Sequence, residues 1–343
     1  MTFRQIFHPV NRNVFDFLHS LNVYFSFVVR AVFLRLIPDF CFKPPVFSSW
    51  LTFREYLTKG ISKMPLTISH PALSIPFRRF GLYTSALFLG SMMPDFEFFL
   101  SLSDGKAIGH TIPGIFIFCI PVGLIALLIF HKLIKFPLLS LVPHSHQVKL
   151  FPVAQRFRFF PFGNVLRIVL SLGIGAFSHI AWDSFTHHDG LMVQLFPFLS
   201  NPVLVLPQGT MRVYYILQYA GSFIGVLLMI YWYLKWYWQA EPLRHIIPHR
   251  FKISRKIAIG SSIVGFTIMG GLSYGFFTVP NPGTVEMLKM FITHSAIATM
   301  SSFMLALITF GILWHYFIPR HRRIKHVKKG MDLDITPAGN ESA

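Results

Sequence analysis

Long apolar runs alternate along the chain with short loops that carry prolines or basic residues. Several runs approach or exceed the roughly 20 residues that a helix needs to cross a bilayer. Six membrane-spanning helices are predicted, at about 82–102, 112–134, 165–186, 213–238, 257–279 and 290–317. Pro94 and two acids interrupt the first, which makes a re-entrant or short buried helix its alternative. Pro121 is expected to kink the second. The fourth ends in "YWYLKWYW" (231–238), an aromatic cluster suited to a membrane–water interface. Small-residue pairs in "GSFIG" (221–225) and "GLSYG" (271–275) fit close helix packing. The predicted fold class is all-α, a polytopic helical membrane protein of about six transmembrane helices.

Composition agrees with this pattern. The 343 residues are 53% hydrophobic and only 13% charged, about half the charged share of a soluble domain. A net charge of +18 raises the question of nucleic acid, but the basic residues gather in loops between apolar runs. Residues 131–167 hold six Lys/Arg and no acid, and residues 235–256 hold six and one acid. The tail "PRHRRIKHVKK" (319–329) is also basic, whereas the loops at 103–111, 187–211 and 280–289 are nearly free of Lys/Arg. By the positive-inside rule this places both termini in the cytoplasm and the 187–211 loop outside. With no zinc-finger spacing or Gly-rich phosphate loop beside the basic loops, neither nucleic acid nor a nucleotide cofactor is expected, and membrane lipids are the expected partners. Cys41 and Cys119 form no C-x-x-C pair, so no cysteine framework is expected.

Three regions are expected. Residues 1–63 contain no chemical cluster, and "MPLTISH" at Met64 reads as a natural protein start. The first 63 residues are therefore expected to be an appended or membrane-surface extension. Residues 64–319 form the multi-pass domain, and 320–343 a basic, then disordered, cytoplasmic tail.

The acids carry the candidate chemistry. Between residues 56 and 240 there are only five, and four of them sit in two motifs, "PDFE" (94–97) and "WDSFTHHDG" (182–190). An ionisable group in an apolar segment costs a few kcal/mol, so the default expectation is function. His179, Asp183 and His187 are spaced i, i+4, i+8 and share one face of a helix. With Asp95, Glu97, His70 and His110 they form a His/Asp/Glu set drawn from four segments. Imidazole plus carboxylate is the usual set of ligands for zinc, manganese or non-haem iron. On a continuous helix His179 and His187 lie about 12 Å apart, too far to share one ion unless the helix ends between them. A full first span would also separate His70 from the outer face, so either that span is re-entrant or His70 is not a ligand. The alternative for the whole face is a hydrogen-bonded seam between helices. His188 and Asp189 are expected in an exposed turn, His144 and His146 in a solvated loop, and His294 as a marginal candidate.

"MPLTISHPA", "GSMMPDFEFFL", "GHT", "LIFHKLIKFPLLSLVP" and "SHIAWDSFTHHDG", in that order, resemble the bacterial multi-pass family called domain of unknown function 4184 (DUF4184), over about residues 64–317. That family is in turn distantly similar to an inner-membrane family of metal-dependent hydrolases with His, P-D-x-D, T-H-S and H-x-x-x-D elements. Carried over residue by residue, the resemblance implies a metal held by His70, Asp95, His110, His179 and Asp183, in a protein of the bacterial cytoplasmic membrane. Glu97 stands in place of the second Asp, and His110 precedes Thr111 without the Thr-His order, which leaves metal count and activity open. The expected function is hydrolysis of a membrane-proximal phosphoester or lipid-linked substrate with zinc or manganese, with Glu97 and His187 as the catalytic pair. An ion- or proton-coupled transporter and a non-catalytic scaffold are the alternatives.

Overall fold

The computed structural model describes residues 67–102, 108–206, 209–242, 246–248, 251–318 and 324–326. The expected extension at 1–63 and most of the tail lie outside the described residues. The fold is all-α and polytopic. Among the described residues, five helices are long and apolar enough to cross a membrane: α3 (Ile112–Leu141), the span Phe162–Leu195 built on α5 (Phe162–Thr186), α6 (Val213–Gln239), α7 (Ile253–Thr278) and α8 (Val285–Phe317). Their outward faces carry large apolar side chains, such as Ile117, Phe223, Ile257 and Phe277. That surface suits hydrocarbon as its solvent, where the backbone polar groups are already paired within each helix.

The first expected span, 82–102, is a broken pair, α1 (Thr84–Gly90) and α2 (Met93–Ser101), separated by Ser91 and Met92. Pro94 explains the restart. It falls in the first turn of α2, where a missing N–H costs nothing, whereas inside one continuous helix it would remove a hydrogen bond and clash with the preceding turn. The helix α3 continues past Pro121, with a widened π-turn at Ile115–Cys119 immediately upstream.

Two glycines let α1 and α5 meet backbone to backbone. A Cβ on Gly90 would collide with the Leu172 carbonyl, and one on Gly175 would lie 2.5 Å from the Leu87 carbonyl. Beside this crossing Ala86, Leu127, Ile168 and Leu172 close one core cluster, and Met93, Ile115, Cys119 and Ala176 another. The segment ahead of α1, residues 67–80, is a run of short helical turns pinned down by Ser74, whose hydroxyl donates to the Leu87 carbonyl at 3.2 Å.

The basic loops gather at one end of the bundle. A connecting helix, α4 (His144–Arg156), follows α3 there. Lys149 Nζ donates to the Tyr237 carbonyl at 2.6 Å, and Lys256 Nζ to the Val142 carbonyl at 2.5 Å. Two short strands, Ile246–Pro248 and Ile324–His326, pair antiparallel and bring the start of the tail to the loop after α6. Between α5 and α6 lies a second antiparallel pair, Pro202–Leu206 with Gly209–Arg212.

Candidate metal centre

The side chains of "PDFE" and "SHIAWD" meet where the α1–α2 break crosses α5. His179 lies seven residues before the end of α5, which puts it about 10 Å inside the helix terminus. Asp183 is one turn further on. From α2, Asp95 brings its Oδ1 to 3.5 Å from His179 Nε2, and Asp183 Oδ2 lies 3.0 Å from the same nitrogen. His70, from the turn before α1, places Nε2 at 3.0 Å from Asp183 Oδ1. His110, ahead of α3, places Nε2 at 3.1 Å from Asp95 Oδ1 and 3.7 Å from Asp183 Oδ2. Two interlocking groups result, His70–His179–Asp183 and Asp95–His110–His179, each with ligand atoms within 4.8 Å of one another and able to hold a metal ion.

The hydrogen bonds decide which way the rings present their nitrogens. His179 Nδ1 lies 2.7 Å from the Ser91 carbonyl, which can only accept, so Nδ1 carries the proton. In the neutral ring Nε2 is then a lone pair facing two carboxylate oxygens. Three acceptors in a buried space call for a positive charge between them, either a proton or a metal ion. The Nδ1–carbonyl bond is also the support that a metal-ligating histidine usually has. Among the described residues His70 Nδ1 and His110 Nδ1 meet no hydrogen-bond partner, and both rings direct Nε2 into the cluster. His70 stacks on His179 with ring centroids 4.1 Å apart. Thr67 Oγ1 donates to Asp95 Oδ2 at 2.6 Å and fixes the rotation of that carboxylate.

Exposure grades across the cluster. The side chains of His70 and His179 are 0% exposed, those of Asp95 and Asp183 12%, and those of His110 and His187 27% and 32%. The first two make the floor and the last two the mouth. His187 reaches the mouth because α5 stops at Thr186 and His187 adopts extended backbone as its cap. Its Nδ1 comes back to 3.5 Å from Asp183 Oδ1 and 3.3 Å from the Asp183 carbonyl. The helix thus ends between His179 and His187, the condition under which both can serve one centre. The broken α1–α2 pair likewise removes the barrier between His70 and the rest.

Glu97 stands outside both ligand groups. Its Oε2 accepts from the Gly109 backbone N–H at 2.8 Å, which ties the turn carrying His110 to α2. His188 and Asp189 pair with each other at the surface, 2.8 Å apart. His294 Nδ1 meets Thr278 Oγ1 at 3.0 Å and belongs to neither ligand group. His146 stacks on Tyr237 at the basic end. Thr67 and Ser91 were not singled out from the sequence. Thr67 lies in "LTISH" without any charge to mark it, and the Ser91 group that matters is a carbonyl, which every residue has.

A second polar cluster lies in α3. His131 Nε2 is 3.0 Å from Ser85 Oγ, Lys135 Nζ is 3.2 Å from His131 Nδ1, and Phe157 stacks on the ring at 3.5 Å. Its resemblance to a nucleophile–base pair fails on polarity. The protonated Lys135 amine only donates, so Nδ1 accepts and Nε2 carries the proton that faces Ser85. No base is left for Ser85, and with Lys135 Nζ also bound to the Ala154 carbonyl at 2.6 Å the cluster serves packing.

No curated protein and no solved structure matches the chain. Its order of motifs is nevertheless that of a recognised family: the model described as a domain of unknown function (DUF4184) matches residues 64–312, and the chain belongs to that family.

Proposed function

We propose that the protein is a membrane-embedded hydrolase that uses one divalent metal ion to cleave a membrane-proximal phosphoester. The spacing of the donor atoms carries this reading. Bonds of about 2.0–2.2 Å put neighbouring ligands roughly 2.9–3.5 Å apart in octahedral or tetrahedral sites. The N···O separations here, 3.0 to 3.7 Å, fall at or close to that interval. Nε2 of His179, with either His70 Nε2 and an Asp183 oxygen or His110 Nε2 and an Asp95 oxygen, would hold the ion. His179 has one free nitrogen and belongs to both groups, which favours a single ion. An imidazole and carboxylate set suits zinc or manganese.

The bound ion supplies a Lewis acid that polarises the phosphoryl oxygen and acidifies water at neutral pH. The remaining work falls to the chain. His187 directs Nδ1 at Asp183, so its Nε2 is the atom at the mouth able to take the proton of an attacking water. The water oxygen forms the new P–O bond, the ester P–O bond breaks, and Nε2 returns the proton to the departing alkoxide. Glu97 positions the His110 turn. The basic end of the bundle, with the start of the tail, is the cytoplasmic side by the positive-inside rule, and the cluster sits towards the outer face of the bacterial cytoplasmic membrane. The expected cytoplasmic N-terminus falls on residues outside those described.

The test is elemental analysis of the purified full chain beside phosphate release from phosphoesters with added zinc or manganese. About one ion per chain is expected from the ligand count, lost in His179→Ala and Asp183→Asn. A folded, metal-free protein with no phosphate release would instead leave the polar cluster as a structural seam, and metal-free ion-dependent transport would make it a carrier site.

A further inference from the structure

A cavity of about 220 Å³ adjoins the metal centre. Its walls are Ser69, His70 and Leu73 of the entry segment, Trp182 of α5, and the α6 face from Leu217 to Leu228. Apart from the polar atoms of Ser69 and His70 the lining is apolar. From Leu217 to Leu228 it follows α6 for about 16 Å at 1.5 Å per residue. Leu73, Ala220, Ile224 and Leu228 on its rim are exposed, so it opens sideways, on the surface where a bilayer presents its hydrocarbon. His70 belongs to both places: Nε2 faces Asp183 while the ring forms part of the cavity wall.

We infer that this groove holds the hydrocarbon chain of the substrate, a long-chain alkyl or isoprenyl phosphoester that enters from the bilayer. The inference rests on the hydrolase reading for the reaction, and on the groove alone for the chain. The largely apolar lining offers water few partners and suits hydrocarbon. Moving a chain from the bilayer into the groove changes little apolar exposure to water. The groove therefore orients the chain more than it binds it, and affinity comes from the phosphate at the His/Asp cluster. His70, which walls the groove and faces Asp183, joins the tail site to the His/Asp cluster. Gly221 and Gly225 keep α6 close enough to form that wall: a Cβ on Gly221 would strike Trp182, and one on Gly225 would lie 2.9 Å from the Ser69 carbonyl.

The experiment uses the full chain in nanodiscs with a long-chain alkyl phosphate carrying a diazirine near its tail. Peptides covering 69–73 and 217–228 should take the label, and excess unlabelled alkyl phosphate should remove it where the same chain ended in an alcohol does not. Ala220→Phe, which fills the groove from its exposed rim, should lose the label, as should Leu73→Trp from the facing wall. Label spread over all bilayer-facing helices, or undiminished in both variants, overturns the inference. Phosphate release is scored separately. Label confined to the groove without any release keeps the groove and removes the hydrolase reading, whereas release from a short soluble phosphoester with scattered label does the reverse.

Discussion

Replacing Thr67 by Val removes one hydroxyl while keeping the outline of the side chain. That hydroxyl donates to Asp95 Oδ2 at 2.6 Å, and the other oxygen of the same carboxylate faces His110 and His179. A hydrogen bond to a charged group contributes about 1.5–3 kcal/mol, and each 1.4 kcal/mol is tenfold in an equilibrium. If Asp95 is a ligand, its loss of orientation should weaken metal binding about 10- to 100-fold, the usual range for a group that supports a ligand. The assay is competition of purified protein against a chromophoric zinc chelator, with Thr67→Ser as the control that keeps the hydroxyl. Thr67→Ser should bind within about threefold of the wild type. Two outcomes would refute the reasoning: folded Thr67→Val that binds zinc as tightly as wild type, or a loss that Thr67→Ser shares in full.

Gly175→Ala drives a Cβ into the Leu87 carbonyl and the Ser91 amide, so α1 must retreat and take the Ser91 carbonyl away from His179; about 1–3 kcal/mol of stability should go, with zinc affinity falling alongside the melting temperature. Gly265→Ala, with nothing within 4 Å of its Cβ, should leave both unchanged or gain up to about 1 kcal/mol, read from the same melting curves. Glu97→Ala should loosen the His110 turn and lower zinc affinity, while Glu97→Gln keeps a carbonyl to accept the Gly109 N–H and should restore both binding and turnover; a Gln variant that binds zinc but is inactive would make Glu97 the base instead. His187→Ala should retain the metal by elemental analysis and lose about 10²–10⁴-fold in turnover, the usual contribution of a positioned acid–base group.

Much of the candidate site was legible because charge is so scarce here. In a chain with 13% charged residues, acids that fall inside apolar runs stand out, and helical spacing alone puts His179 and Asp183 on one face. Spacing could not say whether His187 joins them, because that depends on where α5 stops. No strong stop signal precedes the Asp189-Gly190 turn, whereas the helix ends at Thr186 and lets His187 fold back. The place of Glu97 was likewise open in the sequence. A carboxylate two residues after Asp95 resembles a second ligand, yet on a helix neighbours two apart point in different directions, and Glu97 turns to Gly109.

The sequence by itself determined the solvent of this protein and the type of its elements. Apolar runs of bilayer length must be helices in hydrocarbon, because no other local structure pairs every backbone group within the segment. It also determined the chemical inventory, since the few buried acids and histidines are visible as residues. The tertiary structure alone decided how that inventory is arranged. Pro94 permits a break but does not aim it; the close approach of Gly90 and Gly175 turns the break into a crossing that brings Ser91, Asp95 and His70 onto one face of α5. Contacts between residues 28, 88 and 113 positions apart hold the cluster, and a pattern read along the chain carries no term for such distances.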